Sequence, residues 1–199
     1  MTIFDTPILT PLLRGIALLI LKLMGWRVDG DVPDVPKLVV TFAPHTSNWD
    51  FPIVVLFALV FRMKLLWMGK DSLFRAPFGP MFTWLGGLPV DRSKSNNVVA
   101  QMIQYFHDFD RLAIGIAPEG TRGKVGAWKT GFYHIAHGAQ VPIAPSFLDY
   151  RRKVGGFAPL LVPTGDIESE MRQLQTFYAG VTGKNMAKKL AATEGTALK

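Results

Sequence analysis

One residue after the apolar run Val39-Val40-Thr41-Phe42 comes Pro44-His45-Thr46-Ser47-Asn48-Trp49-Asp50, a histidine and a carboxylate with four residues between them. A buried imidazole held by a carboxylate is a general base that can take the proton of a hydroxyl. The chain has no cysteine and no Gly-x-Ser-x-Gly elbow, so it offers no protein nucleophile of comparable promise. Spacing alone also fits a purely structural pair, and the elements around the two residues must decide.

Along one continuous helix His45 and Asp50 would point about 140° apart and never meet. The pair therefore calls for a strand end, a loop and a helix start. Lys37 to Phe42 reads as the strand, and Phe51 to Phe61, followed by Arg62 and Lys64, as a buried helix begun at Pro52 with Asp50 as its N-cap. In that place the positive field of the helix start keeps the carboxylate ionised.

Further short apolar runs read as strands at Leu65 to Met68, Leu88 to Val90, Leu112 to Ala117, Val141 to Leu148 and Ala158 to Val162. Between them, Val98, Val99, Met102, Ile103, Phe106 and Phe109 recur at helical spacing, as do Phe132, Ile135, Ala136 and Ala139. The alternation predicts an α/β fold, a mixed sheet flanked by helices. A chain of 199 residues suits one domain, spanning 1–199, with a loosely held tail from Lys184 onward.

Composition narrows the surroundings. There are 22 basic against 15 acidic side chains, yet 49% of residues are apolar and the mean hydropathy is positive. Nucleic-acid binders concentrate Lys and Arg on a polar surface, so this pairing points instead to an anionic lipid surface. The absence of cysteine fits a reducing compartment and excludes thiolate metal sites. His134 and His137 lie opposite an apolar helix face with no carboxylate nearby in sequence, and no metal or cofactor is expected.

Residues 1–30 hold the membrane-associating segment. Leu12 to Met24 makes a helix of about 20 Å, short of the roughly 30 Å of a bilayer core. It is expected to lie in the interface, with Arg14 and Lys22 reaching headgroups while Leu12, Ile16, Leu19 and Leu23 sink. No Lys or Arg precedes the apolar run and Gly25-Trp26-Arg27 is no small-residue cleavage site, so it does not read as a signal peptide.

Three more constellations follow in order. Gly86-Gly87-Leu88-Pro89-Val90-Asp91-Arg92 ends in a guanidinium suited either to a phosphate or to a surface ion pair. Ala117-Pro118-Glu119-Gly120-Thr121-Arg122 puts a carboxylate, a hydroxyl and a guanidinium on one turn. Val141-Pro142-Ile143-Ala144-Pro145 reads by itself as an irregular edge strand.

Taken in order, the four blocks resemble those of the glycerolipid acyltransferase family, which includes the 1-acylglycerol-3-phosphate acyltransferases and lysophospholipid acyltransferases. Lys70, Leu73 and Pro77, and Lys129 with Gly131, resemble family segments between blocks, whereas Pro44, Ala117 and Leu88-Pro89 depart from the usual pattern. The resemblance implies that His45 and Asp50 are the catalytic pair. It further implies that Arg92, Glu119, Gly120, Thr121 and Arg122 bind a phosphorylated acceptor, and that Val141, Pro142 and Ile143, with Trp49, shape an acyl pocket. The implied partners are acyl-CoA or acyl carrier protein as donor, a lyso-lipid as acceptor and an anionic membrane on its cytoplasmic face.

Overall fold

Within the strand Lys37–Phe42, neighbouring side chains serve different cores: Val39 packs to one side, Leu38 and Val40 to the other, and all three are buried. This is the period-two alternation of a strand covered on both faces. In the computed structural model, which describes residues 1–90, 95–120 and 128–186, that strand sits near the middle of a seven-stranded sheet.

The elements run α1 (Leu9–Leu23), β1 (Arg27–Asp29), β2 (Lys37–Phe42), α2 (Asp50–Val60), β3 (Leu65–Lys70), a 3-10 turn (Asp71–Phe74), α3 (Gly79–Trp84), β4 (Gly87–Val90) and α4 (Ser95–Asp108). They continue through β5 (Leu112–Ile116), α5 (Gly131–Ala139), β6 (Ile143–Asp149), β7 (Val154–Phe157) and α6 (Ile167–Ala179). The strand order is β1-β7-β6-β2-β5-β3-β4. From β6 to β4 all pairings are parallel, with Val39 facing Ile114 on one side and Ile143 on the other. The antiparallel β6–β7 pair makes the sheet mixed.

One face of the sheet carries α4, α5 and α6, whose Met102, Phe106, Phe132, Ile135, Ala136 and Leu174 close over Val39, Ile114 and Ile143. Against the opposite face lies α2, apolar nearly all round as a helix covered on both sides must be. Its Ile53, Phe57 and Val60 meet Ala17 and Leu21 of α1, which forms an outer layer. Arg14 Nε donates to Val60 O at 3.2 Å and ties the two helices together. The outward side of α1 leaves Leu12, Ile16, Leu19 and Leu23 exposed. Among the described residues no helix is long and apolar enough to cross a membrane, and α1, with 15 residues, measures about 22 Å.

Tyr178 of α6 closes the end of the sheet from which the His45 loop departs. Its buried hydroxyl donates toward Thr41 O and Ser146 O, each 3.0 Å away, and lies 2.9 Å from Thr41 Oγ1. Burial pushes this phenol above its ordinary range, so it stays protonated and keeps donating.

One expected strand fails, and two strands carry no sequence signal. Ala158 to Val162 forms only an isolated bridge, Leu161 with Ile143, while the strand in that region is β7, Val154-Gly155-Gly156-Phe157. Its glycines are there for room: a Cβ on Gly155 would stand 2.5 Å from the Phe57 ring, and one on Gly156 would stand 1.8 Å from Asp29 O. A strand selected for closeness shows no apolar alternation. Its neighbour β1, three exposed residues long, shows none either.

Gly156→Ala therefore forces β1 from β7. The expected loss is about 2 kcal/mol, read as a lower denaturant midpoint; an unchanged midpoint would mean that this edge yields freely.

Candidate active site

The chain leaves the sheet at Phe42 and re-enters regular structure at Asp50, so residues 43–49 form the loop that bears His45. Asp50 lies in the first turn of α2, and Trp49, not Asp50, occupies the N-cap position. The aspartate is thus misplaced by the N-cap expectation. Instead of capping the helix amides, its carboxylate turns back onto the loop: Oδ2 accepts from His45 Nδ1, Thr46 N and Ser47 N, each at 3.0 Å. These local amides leave Oδ2 no freedom, and the helix start still favours its charge.

Oδ1 accepts from the hydroxyl of Tyr150 at 2.7 Å. The Asp50 side chain is only 6% exposed. Burial pushes its carboxyl upward, but the hydrogen bonds from His45, Tyr150 and Ser47 outweigh burial and hold it below its ordinary value. Because this native value is lowered, the stability that the ionised group brings is present above the ordinary carboxylate range. It is lost only as pH falls through the lowered value. An ionised Asp50 accepts and cannot donate, so the proton between it and His45 belongs to Nδ1. In that tautomer Nε2 is the ring nitrogen able to take a proton.

The loop has a second anchor. Glu119, just beyond β5, accepts from His45 N through Oε2 at 2.8 Å. Burial pushes the Glu119 carboxyl above its ordinary value, with the His45 amide opposing. A third anchor comes from near the other end of the chain, where Asn185 Nδ2 donates to Thr46 O and Lys184 places its cation 4.5 Å from the centre of the Trp49 ring.

His45 and Asp50 open onto a cavity of about 1130 Å³. Its walls are mostly apolar, with Phe51, Val54, Trp67, Leu73, Val98 and Phe132 among them, while Lys70 and Lys129 bring cations. Such a volume suits a ligand that is mostly hydrocarbon with one charged end.

The other residues singled out in sequence divide. Gly120 lines the cavity with a positive φ of 64°, a backbone that glycine accepts without strain. Its N–H is engaged with Ala117 O at 3.0 Å. Glu119 grips the loop backbone and is not among the cavity-lining residues. Arg92, Thr121 and Arg122 lie outside the described residues. Val141, Pro142 and Ile143 line no part of the cavity: Val141 and Ile143 are buried in the core beneath α4 and α5. Trp49 is 59% exposed and lies outside the cavity as well. Tyr150 escaped sequence reasoning, since a tyrosine 100 residues from its partner leaves no local pattern.

With this geometry in view, comparison with known proteins places the chain. Residues 28–149 match the Acyltransferase family. The 1-acyl-sn-glycerol-3-phosphate acyltransferase of Haemophilus influenzae is 30% identical over 133 residues, covering 62% of this chain and 54% of that protein. Its counterpart from Escherichia coli is 34% identical over 110 residues, covering 52% and 43%. The chain thus spans about half the length of the curated relatives it matches. The crystal structure of the 1-acyl-sn-glycerophosphate (LPA) acyltransferase PlsC from Thermotoga maritima covers 86% of this chain and 77% of that one, with a TM-score of 0.61 at 16% identity, a likeness of fold. Because the family match takes in the sheet from β1 to β6, the His45–Asp50 loop and more than half of the chain, the protein belongs to the Acyltransferase family.

Proposed function

We propose that the protein transfers a fatty acyl group from an acyl thioester, on coenzyme A or acyl carrier protein, to the hydroxyl of a lyso-lipid. The proposed acceptor is 1-acylglycerol-3-phosphate and the product phosphatidic acid. One observation carries the reading: an imidazole bonded to a buried carboxylate at 3.0 Å stands in the wall of a large apolar cavity. The names of the relatives agree with it.

In this reaction Nε2 of His45 takes the proton of the acceptor hydroxyl as that oxygen attacks the thioester carbonyl. The resulting imidazolium is stabilised by Asp50. Collapse of the tetrahedral intermediate breaks the carbon–sulfur bond, and the departing thiolate recovers the proton from His45. No acyl-enzyme forms, in keeping with the absence of a cysteine or elbow serine. Lys70 and Lys129 in the cavity, with Arg92 and Arg122, would receive the acceptor phosphate.

The exposed side of α1 is the proposed contact with the cytoplasmic face of the membrane, held peripherally. Leu12, Ile16, Leu19 and Leu23 enter the headgroup boundary, and Lys22 in the last turn meets anionic lipid. Arg14, expected to reach headgroups, is instead bonded to the end of α2.

Purified protein incubated with a panel of lyso-lipids and acyl donors, with products identified by mass, is expected to acylate 1-acylglycerol-3-phosphate fastest. Lipid binding with no acylated product would overturn the reading in favour of a noncatalytic lipid binder. His45→Ala should lower kcat by about 10² to 10⁴ while leaving the fold intact by circular dichroism; full activity in that variant would remove His45 from the chemistry. In vesicle sedimentation, Leu12→Asp with Leu19→Asp should release the protein from anionic vesicles without altering its circular dichroism. Undiminished sedimentation would move the membrane contact away from α1.

A further inference from the structure

The Asp50 carboxylate has two buried oxygens that are held in different ways. All three donors to Oδ2 come from the adjoining loop, whereas the donor to Oδ1 is Tyr150, in the turn that follows β6. The donors on Oδ2 already hold the carboxylate from the loop side. A second donor at 2.7 Å on the other oxygen, from outside the loop, braces the same plane independently and steadies the direction in which Oδ2 faces His45 Nδ1.

Tyr150 is itself held from two sides. Tyr150 N donates to Thr182 O at 2.9 Å, which ties it to the segment after α6. Its ring meets the buried Trp26 edge-on, with centroids 5.0 Å apart, and Trp26 in turn meets Phe57 of α2 edge-on at 5.9 Å. A side chain braced in this way brings its hydroxyl to the carboxylate at little further entropic cost.

We infer that Tyr150 is a positioning residue of the acyl-transfer site, the third member of a Tyr150–Asp50–His45 chain that orients the general base and tempers its basicity. The inference rests on the transferase reading given above. A phenol donating to Asp50 draws off part of the carboxylate's charge, and that charge is what stabilises the His45 imidazolium. Without the hydroxyl, the carboxylate loses both its anchor outside the loop and this tempering. The base is then less well aimed, and its imidazolium is held more firmly. Besides Tyr150, the ionisable groups about the dyad among the described residues are Glu119, bonded to the His45 amide, and Lys70, Lys129 and His134 in the same cavity; Lys184 lies over Trp49 of the same loop.

The test is Tyr150→Phe, which keeps the ring against Trp26 and removes only the donor. Expected are a fall in kcat of roughly tenfold, the size of effect that follows loss of a hydrogen bond to a charged group, and KM values within about twofold of wild type. The acidic limb of the pH–rate profile should move to higher pH, and NMR of the labelled His45 ring should show its titration moving the same way. Wild-type kcat and pH profile, with only the melting temperature changed, would make Tyr150 merely structural and overturn the inference. Should the wild-type chain acylate no lyso-lipid, the transferase reading fails by itself. The ring titration then decides the tyrosine's role: an upward move in the variant supports the Tyr150–Asp50–His45 chain, and an unmoved titration refutes it.

Discussion

A carboxylate as buried as Asp50 stays charged only where donors converge on it, and much of the architecture serves that convergence. Two loop amides and an imidazole come from the seven residues between β2 and α2. The phenol comes from the far end of β6. Since β6 is paired directly with β2, the sheet brings together two positions 100 residues apart in sequence. The parallel arrangement matters here: strands that run the same way deliver their exit loops to the same edge, where α/β proteins collect their ligands.

The same edge explains why Glu119 works as a clamp. It follows β5, the other neighbour of β2, so the His45 loop is flanked by residues leaving both adjacent strands. Tyr178 binds Thr41 and Ser146 just inside this edge, on the β2 and β6 sides of the loop. Each contact contributes modestly by itself. Together they turn a loop with little regular structure into a fixed mount, which a general base needs more than it needs reactivity.

How much of this is written locally in the chain depends on whether a residue's role is set by its neighbours in sequence. Lys37 to Phe42 is legible because it is a continuous apolar run, and the buried stretch Phe51 to Phe61 because its flanks carry charge. The strand–loop–helix setting of His45 and Asp50 follows from helical geometry alone. Asp50's turn toward the loop does not, because a first-turn aspartate and an N-cap aspartate share one sequence signature and differ by one residue in where the helix begins. The glycines of β7, the short edge strand β1 and the Tyr150 hydroxyl stay hidden because each answers to a partner distant in sequence. Val141 and Ile143 show the opposite difficulty: apolar residues read alike whether they line a cavity or fill a core.

Helix α2 has its first turn in the active site and its last carbonyl under Arg14 of the outer helix. The helix is eleven residues long, and its ends lie about 15 Å apart along a stiff rod. This makes the helix a spacer whose length is counted in residues. Adding or removing one residue would shift its ends by about 1.5 Å and swing Asp50 about 100° around the axis relative to α1. The carboxylate would then face the core or the solvent in place of the imidazole. The number of residues in α2 therefore matters as much as their identity: the distance from the outer layer to the reacting proton is fixed by counting.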